Sequence, residues 1–101
     1  MIITRWQAQV VPSIDQMKMM FEVEGLEPQV ETYNPEIEIA EHRHPFDEVR
    51  MVCSGTLLVN IDGTKLLLRA GDKIHIPSNT KHSTKTEGDG TCVSICAKKI
   101  F

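Results

Sequence analysis

The order of apolar and polar residues changes its period along the chain. After residue 13, apolar side chains recur at helical spacing, at positions 14, 17, 20 and 21. Ser13 and Gln16 can form a capping box at the start of this segment, and Gly25 can end it in the left-handed conformation. We therefore predict one short helix. Its methionines, at positions 17, 19 and 20, are expected in a core or a dimer-facing seam rather than in a promiscuous binding surface.

From residue 29 onward the period shortens to two, which is typical of β-strands. Strands are predicted over residues 29–34, 36–40, 49–53, 56–61, 64–69, 73–76 and 91–97, with a short edge strand within 1–6. The Asp62-Gly63 pair predicts a tight hairpin, because both residues accept positive φ. Many short strands with glycine turns indicate an all-β sandwich or barrel, carrying the short N-terminal helix.

Several of these strands are apolar on both faces. Val49 and Met51 alternate with Val52, and Leu57 and Val59 flank Leu58. An isolated sandwich should present a polar outer face to solvent. We therefore expect the outer face to be covered, either by the N-terminal helix or by a second subunit.

Length, charge and cysteine content narrow the class of protein. The 101 residues fit one domain, and a net charge of -3 without a Lys/Arg-rich run argues against nucleic acid as the main partner. No apolar run is long enough to span a bilayer, and the first residues do not form a signal-peptide pattern. Cys53, Cys92 and Cys96 form neither an even set nor a CxxC pair. We expect a cytoplasmic protein without a membrane partner.

The candidate chemistry lies between residues 42 and 82. His42 and His44 are two positions apart, so on a strand both side chains point to one face, where they can chelate one ion. Glu48 begins the next apolar run, and His82 follows a Gly-Asp turn and a short strand. Imidazole with carboxylate suits zinc, iron, manganese or nickel better than calcium or magnesium.

The same residues carry a family resemblance. The pattern His42-x-His44, three residues, Glu48, six residues, Gly55 fits the first motif of the cupin superfamily, and Gly71, five residues, Pro77 and then His82 resembles the second. The resemblance implies a cupin jelly-roll β-barrel of the RmlC-like kind, commonly a homodimer. It also implies one divalent transition metal (iron, manganese, nickel, cobalt or zinc) held by His42, His44, Glu48 and His82. We accordingly predict a single cupin domain, with an N-terminal extension over residues 1–28 and the conserved barrel over 29–101.

Three positions depart from the family pattern. Asn79 stands where the second motif usually has glycine, and asparagine is the residue that best replaces glycine in left-handed backbone. Glu36 replaces the glycine that often opens the first motif, so the preceding strand is expected to differ. Thr86 replaces a frequent asparagine. None of the three is a presumed ligand.

Two further residues are candidates for assisting catalysis. Arg50 shares a strand face with Glu48, so its guanidinium should point inward, where it either pairs with Asp47 or Glu38 or anchors an anionic group of a substrate. His75 matches no ligand position and is expected at the surface or lining the pocket rather than acting on a metal or a proton. Cys92 and Cys96 are too far apart on one strand for a disulfide and are expected as small apolar side chains in a packed face, ahead of a redox or metal role.

The sequence leaves several functions open. A metal-dependent enzyme acting on a small organic molecule, of oxygenase type or an isomerase or decarboxylase, stands slightly ahead of a non-catalytic module that binds or stores a small molecule through the same metal. A third alternative, a purely structural metal, is disfavoured by the intact ligand set. Fold alone does not choose among them, because cupins host many functions.

Overall fold

Nine strands and one helix make up the regular structure of the described residues, 2–88 and 90–100, in the computed structural model. Met1, at the start of the predicted edge strand, lies outside this part of the chain, as do Asp89 and Phe101. The elements are β1 (Ile2–Thr4), α1 (Ile14–Val23), β2 (Gln29–Tyr33), β3 (Glu38–His42), β4 (Asp47–Ser54), β5 (Thr56–Ile61), β6 (Thr64–Arg69), β7 (Lys73–Ile76), β8 (His82–Thr86) and β9 (Cys92–Lys99).

The strands form two antiparallel sheets. One has the order β1-β7-β4-β9-β2 and the other β3-β8-β5-β6. From β2 to β9 the chain passes from one sheet to the other at every connection except the β5–β6 hairpin. This double-sheet arrangement confirms the predicted all-β jelly roll with a short N-terminal helix.

The main apolar core lies between the two sheets. It combines side chains from both, and its buried members are Val52, Leu57, Val59, Ile61, Leu68, Ile74, Ile76 and Cys92. The β5–β6 hairpin positions four of them, and its turn residues Asp62 and Gly63 have φ of 49° and 94°, as predicted for this pair. Polar side chains lie directly beside this core, because Glu48, Arg50 and His82 pair across strands with Ile76, Ile74 and Ile61. We call the region of these three polar residues the polar end of the sandwich.

The helix α1 covers the outer face of the five-stranded sheet. The Ser13 hydroxyl accepts from Gln16 N at 3.2 Å and the Gln16 side chain accepts from Ser13 N at 2.8 Å, so the predicted capping box is present. Met17 and Phe21 pack onto Val49 and Met51, together with residues of β9. The helix is thus one cover for the two-sided strands, as expected.

The apolar stripe of this helix is narrower than its spacing predicted. Ile14 and Met20 are each 40% exposed, and Met19 and Val23 are more exposed still. A 10-residue helix on a flat sheet offers only its central turn to the sheet, so residues at the margins of the stripe stay in solvent.

Two of the positions that depart from the family pattern adopt left-handed backbone. Asn79 has φ of 57°, so the turn before β8 keeps the conformation that glycine would give, as expected. Glu36, in the turn between β2 and β3, has φ of 67°. For a side chain with a Cβ this conformation costs about 1–2 kcal/mol, because Cβ approaches the following carbonyl oxygen.

We predict that Glu36→Gly stabilises the protein, raising the free energy of unfolding by about 1 kcal/mol, because it removes the Cβ from a left-handed residue. Chemical denaturation measures the change. Glu36→Ala is the matched control, since it removes the carboxylate and keeps the Cβ. A glycine variant no more stable than the alanine variant would show that the backbone at this position is not strained.

Candidate metal centre

Three histidines converge at the polar end of the sandwich. His42 ends β3 and His82 begins β8, and the two residues are direct partners across the strand pair. His44 lies in the segment that joins β3 to β4, rather than on a strand as its spacing had indicated. The Nε2 atoms of His42 and His44 are 2.9 Å apart, and one ring nitrogen from each of the three histidines lies within 4.8 Å of the others.

A β-bulge aims His42 at this cluster. The pairing of β3 with β8 runs Ile39 with Thr84 and then, after a shift, His42 with His82. Ile39 lines the same cavity as His42, although the two residues are an odd number of positions apart. The extra residue of the bulge changes the alternation of the strand, so that both side chains reach one face.

Backbone carbonyls fix the tautomers of two of the imidazoles. Nδ1 of His42 is 2.7 Å from the Ala40 carbonyl oxygen and Nδ1 of His82 is 2.8 Å from the Thr80 carbonyl oxygen. Because a carbonyl oxygen only accepts, each Nδ1 carries a proton, and Nε2 is the ring nitrogen that can bind a cation. Burial and the nearby histidines lower the pKa of His44, although the carboxylate of Glu48 opposes this shift.

The buried Nε2 atom of His82 shows best whether these residues fit a cation. No hydrogen-bond donor or acceptor among residues 2–88 and 90–100 satisfies this atom. A buried polar atom without a partner is costly, and the Nε2 atoms of His42 and His44, 2.9 Å from each other, lie close to it. A divalent cation between the three nitrogens would satisfy all of them, so the donors present fit a transition metal.

Glu48 completes the donor set from strand β4. Its Oε1 atom is 3.4 Å from Nε2 of His44 and 3.9 Å from Nε2 of His82. Its other oxygen, Oε2, accepts from Nε of Arg50 at 3.1 Å. The carboxylate is therefore oriented by Arg50 with one oxygen turned towards the imidazoles. All four residues predicted as ligands meet at this point.

Arg50 is buried and its guanidinium is held on three sides. Besides Glu48, it donates from Nη1 to Ser94 Oγ at 2.7 Å and pairs from Nη2 with Glu31 Oε1 at 2.7 Å. Burial alone would lower the pKa of Arg50, but the surrounding acidic groups outweigh it, so the pKa is raised and the charge is retained. The inward orientation follows the prediction, whereas Asp47 and Glu38 were the wrong partners.

The two expected partners of Arg50 lie elsewhere because of strand alternation. Asp47 is next to Glu48 and so faces the opposite side of β4, where it accepts from Ser78 N and contacts His75. Glu38 is exposed on β3, in the other sheet. The residues that do pair with Arg50 come from β4 itself and from β2 and β9, on the same sheet and the same inward face.

A cavity of about 250 Å³ joins the histidine cluster to solvent. Its wall includes Phe46, whose ring stacks on His44 with centroids 4.7 Å apart. Lys98, from the exposed end of β9, places Nζ 4.9 Å from the centroid of the Phe46 ring. The remaining lining residues are Glu31, Tyr33, Ile39, Thr84, Cys96 and Ala97, with Glu48 and Arg50 below them.

His75 takes no part in this cavity. It pairs with Val49 across β7 and β4 and lies on the helix side of the sheet, with Nε2 2.7 Å from Asp47 Oδ2. Its neighbours on β7, Ile74 and Ile76, point into the core instead. This placement fits the expected surface position and argues against a role for His75 beside the metal ligands.

The cysteines divide between the core and the cavity. Cys53, Cys92 and Cys96 are all free thiols, and Cys92 is buried in the main core as expected of a small apolar side chain. Cys96 differs from the prediction, because it lines the cavity and donates from Sγ to Glu31 Oε1 at 3.1 Å. Burial raises the pKa of Cys96 to about 12, so the thiol stays protonated and acts as a donor.

Sequence reasoning missed the residues that β2 and β9 contribute to the site. Glu31 and Tyr33 share one face of β2, and Ser94 and Cys96 share one face of β9. The signal available in the sequence was the small and polar character of alternate residues within a strand that is otherwise apolar, from Ser94 to Lys98. It pointed to a polar interior face but did not say which residues would meet there.

Comparisons with known proteins agree with this geometry. The family model described as "Cupin domain" matches residues 29–98. An acireductone dioxygenase from Bacillus licheniformis is 37% identical over 60 residues, which are 54% of this chain and 34% of that protein. The chain thus spans about a third of the length of this curated relative.

Solved structures share the fold at low sequence identity. An RmlC-like cupin from Shewanella frigidimarina superposes with a TM-score of 0.63 at 24% identity, over 74% of this chain and 67% of that one. A conserved protein of unknown function from Streptococcus pyogenes gives a TM-score of 0.65 at 21% identity, over 75% and 66% of the two chains. At this level of identity the likeness concerns the fold alone.

We predict that Arg50→Met destabilises the metal-free protein by about 3 kcal/mol, because it leaves the carboxylates of Glu31 and Glu48 close together without their cation. The loss should depend on pH. Arg50 holds the pKa of Glu31 below its ordinary value of 4.5, although burial alone would raise it, so this contribution is present above pH 4.5 and fades as the pH falls further.

Urea denaturation of both proteins at pH 7 and near pH 4, after treatment with a chelator, measures this effect. Arg50→Lys is the control, since it keeps the charge but cannot bridge both carboxylates. Its free energy of unfolding should lie between those of the wild type and Arg50→Met. An equal loss of stability at both pH values would contradict the electrostatic account.

Proposed function

The chain belongs to the cupin domain family, and on that premise we propose that it holds one divalent transition metal through His42, His44, Glu48 and His82 and acts on a small organic molecule there. The observation that carries the proposal is the buried, unpartnered Nε2 atom of His82, which lies beside the imidazoles of His42 and His44. A carboxylate oriented by Arg50 supplies the fourth donor.

The proposed chemistry is of oxygenase type. A metal held by these four residues would keep open positions, and it would supply a Lewis acid for a substrate or dioxygen there. The residues of this chain define what reaches it. Phe46 and Ile39 give the cavity apolar walls, the backbone carbonyls of Ala40 and Thr80 hold the imidazoles in the ligating tautomer, and Arg50 holds Glu48.

Partial sequence identity supports this class of enzyme over others. The relative named acireductone dioxygenase shares 37% identity over 60 residues, a match that covers 34% of that protein. We therefore propose the reaction type from this relative, whereas the substrate depends on the pocket of this chain.

A non-catalytic binding module is the second candidate. The observation in its favour concerns the two residues predicted to assist catalysis. Neither can exchange protons at the metal, since His75 lies on the other face of the sheet and Arg50 is engaged by its neighbours. Oxygen uptake by the iron-loaded protein across a panel of small hydroxy acids and phenols separates the two. Uptake above that of His82→Ala supports an oxygenase, and tight binding without uptake supports the module.

A homodimer remains part of the proposal. The outward face of α1 exposes Met19, Met20 and Val23, an apolar surface that a second copy could cover. No helix of the described residues is long and apolar enough to cross a membrane. A cytoplasmic location stays a prediction, with which three free thiols are compatible.

We expect the purified protein to contain about one equivalent of a transition metal per chain, and His82→Ala to lose it, because this change removes the donor that has no other partner. Elemental analysis measures the content. His75→Ala is the matched control, since it removes the fourth histidine of the chain from the opposite face of the sheet and should leave the metal in place.

Chelation provides a second measurement of the same site. Removing the metal should lower the melting temperature of the wild type and of His75→Ala, but not that of His82→Ala, because only a bound metal stabilises the native state. A wild type that holds no metal even after reconstitution would overturn the proposal.

For the dimer, we predict a dimeric mass for the wild type at micromolar concentration and a monomeric mass for Val23→Glu, which places a charge in the exposed apolar face of α1. Light scattering after size exclusion gives the mass. Thr64→Glu, on the exposed edge strand of the other sheet, is the control and should remain dimeric. A monomeric wild type would contradict the prediction.

A further inference from the structure

The two carboxylate oxygens of Glu31, at the cavity wall, differ in their hydrogen bonds. The residue lies on β2 and lines the same cavity as the three histidines. Its Oε1 atom receives three donors: Nη2 of Arg50 at 2.7 Å, Sγ of Cys96 at 3.1 Å and the hydroxyl of Tyr33 at 3.4 Å. Among the residues that the structure describes, none donates to Oε2.

Glu31 is a strong acceptor, and its side chain is accessible from the cavity. Burial alone would raise the pKa of Glu31, but the charge of Arg50 and the hydrogen bonds to Oε1 outweigh it, so the pKa is lowered and the group is a carboxylate. The side chain is 39% exposed, in contrast with 7% for Arg50 and 13% for Glu48. A ligand entering the cavity therefore has access to Glu31, whereas the guanidinium behind it is already engaged.

The carboxylate is also fixed in position relative to the proposed ligand set. The same guanidinium donates from Nε to Glu48 and from Nη2 to Glu31, so a planar group sets the spacing between the two carboxylates. An acceptor whose orientation is held by other contacts loses little further freedom when it binds a donor, so it discriminates well between ligands.

We propose that Glu31 positions the ligand of this site by accepting a hydrogen bond from a hydroxyl group, so that the cavity selects small hydroxylated molecules over analogues that lack the hydroxyl. This inference rests on the proposed function, because the ligand's other polar atoms are taken to bind at the metal. It replaces the earlier expectation that Arg50 anchors the substrate, since Arg50 acts through Glu31 instead.

The size of the cavity agrees with a small ligand. Its volume of about 250 Å³ lies below the range of about 300–1,000 Å³ typical of pockets for drug-sized molecules. A site that accepts a hydrogen bond from a hydroxyl of the ligand binds the analogue without that hydroxyl less tightly, because the bound analogue displaces water from the acceptor without replacing its hydrogen bond.

A matched pair of probes tests the inference. Glycolate and methoxyacetate both offer a carboxylate and a second oxygen to the metal, but only glycolate carries a hydroxyl that can donate. Calorimetric titration of both into the metal-loaded protein gives the ratio of their dissociation constants. We expect this ratio to favour glycolate in the wild type and to fall by about tenfold in Glu31→Gln, the size expected for loss of a hydrogen bond to a charged acceptor.

The comparison between variants isolates Glu31. Any preference of the metal itself for glycolate is the same in the wild type and in every variant, so it cancels when their ratios of dissociation constants are compared. Glu38→Gln, which changes an exposed glutamate on β3, is the control and should keep the wild-type ratio. Glu31→Asp retains the charge beside Arg50 but withdraws the free oxygen, and it should lose the preference as well. A purely structural role of Glu31 would weaken both probes alike and leave the ratio unchanged.

Metal content and melting temperature, measured on each variant beforehand, keep the two proposals apart. A wild type without metal overturns the proposed function. A metal-loaded wild type that binds both probes equally, or a Glu31→Gln variant that keeps both its metal and the wild-type ratio, overturns the inference and leaves the metal centre standing.

Discussion

The arrangement of the cavity depends on one buried cation. Arg50 retains its charge with a side chain that is only 7% exposed, and an unpaired guanidinium at such a place would cost several kcal/mol. It is satisfied by neighbours from three strands of one sheet: Glu48 on β4, Glu31 on β2 and Ser94 on β9. These contacts fix β2 and β9 against β4 at the polar end of the sandwich, and in doing so they orient the carboxylate nearest to the histidines.

The inner face of β4 shows how one sequence provides both a core and a site. Its inward residues change from Glu48 through Arg50 to Val52, and Val52 belongs to the main core. Burial of the apolar end supplies the stabilisation that ordering the polar end costs. The imidazoles of His42 and His82 are therefore held on strands of the sandwich, whereas His44 lies in the short segment between β3 and β4.

The sequence predicted those features whose signals are local. The capping box at Ser13 and the Asp62-Gly63 hairpin each depend on a few neighbouring residues, and the four ligand candidates share a spacing known from a family. What it did not predict depends on register between distant segments. Glu31 meets Arg50 only because β2 pairs with β9 and β9 with β4, and no local pattern encodes that order. The partners guessed for Arg50 were close in sequence but lay on another face or in the other sheet.

The bulge in β3 determines which face of the strand His42 points to. The bulge compensates for the odd spacing between Ile39 and His42, since without it a regular strand of this length would turn His42 away from the cavity. A strand shortened by one residue at positions 40–41 would keep both side chains on one face without a bulge. Within the described part of the chain, no residue of β3 belongs to either buried apolar cluster. A change of chain length at this point can therefore leave both the core and the direction of His42 unchanged.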